Sequence, residues 1–349
     1  MGSLSTPLTM LKPMETCAEV VVVGSLNADL VVRTGRRPAP GETVIGDSFD
    51  VLPGGKGANQ ALVAALVGRR TDPGILVALI GATGDDANAG LVTAGLASAG
   101  VDLRAVQRVA SSSTGVAAIT VGDDGDNAII VVPGANSAVT SDYVRQYSGL
   151  IAAAAVVVVQ MEVPLDGVLA AAGLTRGRLI VNLAPAKQVP PDLLLRADPL
   201  VVNEHEAAAA LAILTLSPDP AGTDRSARTG HEQSPAPHAQ PHRADTPGTA
   251  DITDTAEEAA CVAGLLAAGV PSVVLTLGAR GCLVGTASGI QTLPAVKVRA
   301  VDTTGAGDAF TGAIAARLAA GDDLPKACKL ATRVAAYCVQ QPGAQPQPA

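Results

Sequence analysis

Glu19-Val20-Val21-Val22-Val23-Gly24-Ser25-Leu26-Asn27-Ala28-Asp29 carries four consecutive valines with no polar alternation. Such a run reads as a strand buried on both faces, which is the habit of parallel sheets, whereas a one-sided sheet alternates apolar and polar residues. The same kind of run recurs at Ile75–Ile80, Ala155–Val159, Leu179–Asn182, Pro199–Val202 and Ser272–Leu277. Ala-rich helical patterns lie between them, at Ala58–Val67, Ala87–Ala99, Ser141–Ile151, Leu165–Ala172 and Ala256–Ala268. Two more helices, near Gly307–Ala320 and Leu324–Val339, close the chain. Alternating β and α units predict an α/β fold, a doubly wound and mostly parallel sheet flanked by helices.

Two stretches depart from that rhythm. Asp29–Arg33 with Thr43–Leu52, and Gly115–Val121 with Ala128–Pro133, read as short strands. The second pair forms a hairpin around Asp123-Asp124-Gly125-Asp126. Together they predict a small antiparallel sheet, a lid, with segments at about 29–52 and 115–133. Ser217–Ala250 holds six prolines and three of the four histidines, but no Val, Ile, Leu, Met, Cys or aromatic residue. It cannot bury enough apolar surface to offset ordering entropy, so 217–250 is expected to be a disordered, solvated insertion. Residues 1–16 read as a disordered N-terminal extension, 17–346 as one domain and 347–349 as the chain end.

The chain has 349 residues, 48% of them hydrophobic, only 1% aromatic, and no tryptophan. Ala, Val and Leu must therefore build the core, which suits helices packed closely over a sheet. The net charge of −8 argues against nucleic acid as a partner and requires local cations or amides wherever an anion is handled. Five scattered cysteines without C-x-x-C spacing predict reduced thiols and a cytoplasmic setting, and no apolar run is long enough to span a membrane.

Chemistry concentrates in Asp302-Thr303-Thr304-Gly305-Ala306-Gly307-Asp308. The string follows strand-like Ala295–Val301 and leads into a helix. Two glycines let successive N–H groups converge, and the helix N-terminus adds a positive dipole, so an anion site follows. Asp308, in the first turn, is placed to take a proton from an attacking hydroxyl. Locally, a Gly-rich cap with Asp308 as an ordinary first-turn acid accounts for the string equally well.

A second turn, Pro53-Gly54-Gly55-Lys56-Gly57-Ala58-Asn59-Gln60, is not a Walker A loop, because Gly57 follows Lys56 where Ser or Thr is required. Its glycines permit close approach, and Lys56 and Asn59 offer donors to hydroxyls; a plain strand–helix turn is the alternative. Asn27 and Asp29 share one face of an extended segment at a strand's carboxyl end, spaced for vicinal sugar hydroxyls. An Asx turn would explain them too. Glu162 and the Asn203/Glu206 pair close two further strands, and Glu206 fits either a helix cap or a water-mediated magnesium contact. Thr276 and Gly278 could face a nucleotide, with Arg280 either beside it or solvated.

In this order, Asn27/Asp29, Gly54–Asn59, Asn203/Glu206, Thr276-Leu277-Gly278 and Asp302–Asp308 resemble the ribokinase branch of the carbohydrate kinase family that also holds adenosine kinase and fructokinase. The similarity runs from about Glu19 to Pro346, broken only by the insertion. It implies ATP-dependent phosphorylation of ribose at its 5-hydroxyl. Catalysis would fall to Asp308 as general base and Gly305, Ala306 and Gly307 as anion hole. Asn27, Asp29, Gly55, Lys56, Asn59 and Glu162, with Asp308, would bind the sugar. Asn203, Thr276, Gly278, Gly281 and Gly307 would bind ATP, and Glu206 would hold magnesium through water. Asp302 with the carbonyls of Thr304 and Gly343 would hold a monovalent cation, potassium in most of the family. Gln347 stands where the family often supplies a serine hydroxyl to that cation. The lid implies a homodimer.

Fructokinase, deoxyribokinase or adenosine kinase activity is the nearest alternative, and a non-catalytic sugar-binding relative a more distant one. A dinucleotide oxidoreductase is excluded, because Gly24-Ser25-Leu26-Asn27 is no G-x-G-x-x-G turn.

Overall fold

The computed structural model describes residues 18–71, 74–123, 127–216 and 255–346. The expected extension 1–16, most of the hairpin tip at Asp124–Asp126, the insertion 217–250 and the end 347–349 lie outside the described residues.

In chain order the first half carries β1 (Val20–Val23), β2 (Asn27–Thr34), β3 (Ser48–Gly54), α1 (Lys56–Gly68), β4 (Val77–Gly84), α2 (Ala87–Ser98), β5 (Val106–Val109), β6 (Gly115–Gly122), β7 (Asn127–Val132), α3 (Ser141–Arg145) and α4 (Ser148–Ala153). The second half carries β8 (Val156–Gln160), α5 (Leu165–Leu174), β9 (Arg178–Asn182), α6 (Pro191–Leu195), β10 (Leu200–Val202), α7 (Glu204–Leu216), α8 (Thr255–Ala267), β11 (Val273–Thr276), β12 (Cys282–Thr286), β13 (Gly289–Leu293), α9 (Ala306–Ala319) and α10 (Leu324–Cys338).

Nine strands form the main sheet in the order β13-β12-β11-β10-β9-β8-β1-β4-β5. From β11 to β5 every pair is parallel, and β12 and β13 add an antiparallel edge. The valine run explains the layering. Val20 and Val22 point to one face with α1, α2, α9 and α10, while Val21 and Val23 point to the other with α3 to α8. All four are fully buried.

The second sheet, β3-β2-β6-β7, is the expected separate lid. Its outer pairs are antiparallel, as anticipated, but its central β2–β6 pair runs parallel, with Asn27 opposite Gly115. β2 and β3 both begin or end in the site, Asn27 pairing with Gly54 and Asp29 with Leu52.

Some local expectations shift. Ala295–Val301 alternates valine with charge yet joins no sheet; it runs largely exposed, and the Val301 and Asp302 N–H groups both donate to Val339 O. Strand propensity alone does not make a strand. The helix expected at Ser141–Ile151 breaks into α3 and α4 around Gln146–Tyr147. The lid strand expected from Thr43 begins only at Ser48.

α1 and α9 lie against each other closely enough that a Cβ on Gly312 would collide with Gln60 O and press on Ala64 N. Gly312→Val is expected to overpack this contact and lower unfolding stability by about 1–3 kcal/mol, read by urea denaturation.

Candidate active site

The carboxyl ends of the parallel strands point at one place, which is where open α/β sheets bind ligands. β1 runs out through Gly24–Leu26 to Asn27, β8 ends at Gln160 before Glu162, β9 ends at Asn182, β10 leads to Asn203, and β11 ends at Thr276. α1 and α9 start opposite them. Gly55 caps α1 at φ 88° and Gly305 caps α9 at φ 74°, the left-handed region that glycine tolerates. A Cβ at Gly305 would also strike Ala344 O.

A cleft of about 170 Å³ opens here, lined by Lys56, Asn203, Glu206, Thr276, Gly305–Asp308 and neighbouring residues. The N-terminus of α9 faces it, and a side chain at Gly307 would project into open space. N–H groups, a helix dipole and the Lys56 ammonium make the cleft an anion receptor. Lys56 is half-buried. The Asp308 carboxylate foremost, then Glu162, Glu206 and Asp29, raise its pKa above the ordinary value while burial opposes them.

Asp308 is buried in the first turn of α9. Its Oδ2 accepts from Asn59 Nδ2 and its Oδ1 from Gln60 Nε2, each at 2.9 Å. Beside it, Glu162 Oε2 accepts from Ser25 Oγ at 2.6 Å and from the Lys56 backbone N–H at 3.1 Å, tying the β1–β2 connection to the start of α1. Asn27 Oδ1 accepts from Asn136 Nδ2 at 2.8 Å, so the Asn27 amide presents its NH₂ edge elsewhere. Asp29 packs against Gly54, where a Cβ would collide with its carboxylate. Burial foremost, then Glu162 and Asp308, push the Asp29 carboxyl up to about 7, with Lys56 opposing.

Asn203 and Glu206 form a reciprocal capping box: Glu206 N donates to Asn203 Oδ1 at 2.8 Å and Asn203 N to Glu206 Oε2 at 2.9 Å. Burial foremost raises the Glu206 carboxyl, against the Asn203 N–H and Lys56. Both residues still line the cleft. Thr276 lines it too, its Oγ1 donating to Val202 O at 3.3 Å. Gly278 and Gly281 sit in the turn after β11 and do not line this cleft, and Arg280 pairs with Glu204 and Glu258 at 2.9 and 2.6 Å.

Behind the α9 cap, Asp302 Oδ1 accepts from Thr304 N and its Oδ2 from Gly343 N, each at 2.9 Å. Burial works to raise this carboxyl, but the Thr304 and Gly343 hydrogen bonds and the charge of Arg33 win and hold it below the usual range. The structure thus brings Asp302, Thr304 and Gly343 together through the backbone N–H groups of the latter two. Sequence reading passed over Ser25, Gln60, Asn136, Gln160, Asn182 and Gln345. Ser25 and Gln60 stood inside quoted strings, whereas Gln345 carried no local signal.

The fold and this cleft define a kinase-like phosphate receptor facing a polar pocket, and the comparisons agree. Residues 18–232 and 243–349 match the pfkB family carbohydrate kinase profile, and the chain belongs to that family. It is 35% identical over 332 residues to the ribokinase of Schizosaccharomyces pombe, covering 93% of each chain. A Thermotoga maritima ribokinase superposes with a TM-score of 0.75 at 28% identity, covering 94% of this chain and 95% of that one. An Arabidopsis thaliana ribokinase complexed with ribose and ATP gives 0.73 at 28% identity with the same coverage.

A carboxyl raised by burial destabilises the folded state only when ionised. The Asp29 penalty is therefore absent below its unfolded pKa, grows as pH rises through about 4 to 7, and is complete above that. Asp29→Asn is expected to stabilise the ligand-free protein more at about pH 8 than at about pH 5. Chemical denaturation at both pH values checks this, and an equal effect at both would contradict it.

Proposed function

We propose that this chain transfers the γ-phosphoryl group of ATP to the 5-hydroxyl of D-ribose, with Asp308 as general base. The observation that carries the reading is the buried Asp308 carboxylate at the mouth of the α9 N-terminus, in the same cleft as Lys56.

Asn27, through its free NH₂ edge, and Asp29, as acceptor when ionised, hold the sugar hydroxyls together with Gly55, Lys56, Asn59 and Glu162. Asn203, Thr276 and Gly307 face the nucleotide phosphates, with Gly278 and Gly281 further along the nucleotide side. Asp308 takes the proton as the 5-oxygen bonds to the γ-phosphorus; the bond from that phosphorus to the β,γ-bridging oxygen breaks, and ADP leaves. Charge on the transferred group meets the N–H groups at Gly305, Ala306 and Gly307. Most of the rate comes from positioning and electrostatics, as phosphoryl transfer demands.

Glu206, an oxygen donor on the cleft wall, suits magnesium held through water, which when bound neutralises phosphate charge. Asp302, kept ionised beside Thr304 and Gly343, suits a monovalent cation such as potassium behind the anion hole. The lid excludes water from the sugar. Its exposed row Ile129–Val132, with Phe49, supports pairing of two lids in a homodimer. The free, buried Cys261, Cys282, Cys328 and Cys338 accord with a cytoplasmic site of action. Among the described residues no helix is long and apolar enough to cross a membrane.

Asp308→Asn is expected to lower kcat by about 10²–10⁴-fold while ribose binding, read by calorimetry, persists. A near-normal rate would remove Asp308 from the mechanism. In a coupled assay ribose should outperform deoxyribose, fructose and adenosine in kcat/KM; fructose equal to ribose would overturn the sugar assignment.

A further inference from the structure

Each amide that grips Asp308 is itself gripped by a second amide. Gln345 Nε2 donates to Asn59 Oδ1 at 3.0 Å, and Gln160 Nε2 donates to Gln60 Oε1 at 2.9 Å. A primary amide has one accepting and one donating edge. Filling the oxygen with a donor therefore turns the NH₂ edge of Asn59 to Asp308 Oδ2, and that of Gln60 to Asp308 Oδ1. Gln60 Nε2 also reaches Asn182 Oδ1 at 3.0 Å, and Asn182 Nδ2 is spent on Val201 O, which fixes that amide as an acceptor. All six side chains are buried, so water does not compete for these edges.

Gln345 lies far from Asn59 in the chain, on the segment after α10. Its neighbours touch the site as well: Gly343 N donates to Asp302 Oδ2, and Ala344 seats directly against Gly305. Among its described residues, this segment is linked to Asp308 by hydrogen bonds through the Gln345 side chain and Asn59.

We propose that Gln345 is a positioning residue for phosphoryl transfer, fixing the donor edge of Asn59 against Asp308, while Gln160 does the same through Gln60. The inference rests on Asp308 being the base. Each Asp308 oxygen gives one lone pair to an amide and keeps another for the incoming proton, so the relays set the plane of the carboxylate without blocking it. Reversing Asn59 would set an amide oxygen against the carboxylate and turn that oxygen away from the sugar.

The test is a double-mutant cycle on the full-length enzyme, using ribose and ATP. Gln345→Met, close in size but without a donor, is expected to lower kcat about 10- to 100-fold with ribose and ATP dissociation constants within about 3-fold. In an Asn59→Ala background the same change should cost less than about 2-fold, because the relay is already cut. An unchanged kcat for Gln345→Met, or the same loss in both backgrounds, overturns the proposal. Gln345→Glu offers Asn59 only acceptors and should be slower still, with circular dichroism confirming the fold; a Glu variant as fast as wild type also overturns it, even if the Met variant does not fold. Wild-type enzyme inactive on ribose would instead defeat the functional reading.

Discussion

One half-buried ammonium offsets the acids of the site. Lys56 sits at the start of α1 within the field of Asp308, Glu162, Glu206 and Asp29, and each of these carboxylates raises its pKa. Gathering so many acids in a low-dielectric space is costly unless a cation and hydrogen-bond donors compensate. The fold provides them by aiming two glycine-capped helix N-termini at the same point. A chain with net charge −8 handles polyanionic phosphate by this local reversal of sign.

That convergence constrains the rest. The α1–α9 contact has no room for a side chain at Gly312, and Gly57 lies so close to Gly24 and Ser25 that a Cβ there would collide with their backbone. β2 carries Asn27 and Asp29 at its base and continues into the small sheet, so that sheet and the cleft share one strand. Ser25, Glu162 and the Lys56 N–H then fasten that strand's entry to α1.

Much of this was legible in the sequence because it follows local rules. The valine run Val20–Val23 announces a strand buried on both faces, and the Gly-rich strings announce helix N-termini. The roles of single residues needed more. Asp302–Asp308 alone fits a simple cap, and only the order of the other motifs gives it a sugar to face. By sequence Glu206 fits a helix cap or a water-mediated magnesium contact and Asn203 a nucleotide contact, and the structure shows the two capping each other. What stayed hidden depends on long-range pairing: Val296–Val298 looks like a strand but joins no sheet, the parallel β2–β6 pair joins segments far apart in the chain, and Gln345 acquires meaning only beside Asn59. Periodicity and motif spacing do not report contacts of that range.

The central claim is that a buried carboxylate aims one particular hydroxyl at an anion-receiving helix terminus. The most direct test is the chemical identity of the product formed from ATP and ribose, with phosphorus–proton correlation spectroscopy locating the phosphate. A phosphate coupled to the C5 protons is expected, with ADP released in equal amount. Phosphate attached at C1, or ADP released without any phosphorylated sugar, would contradict it.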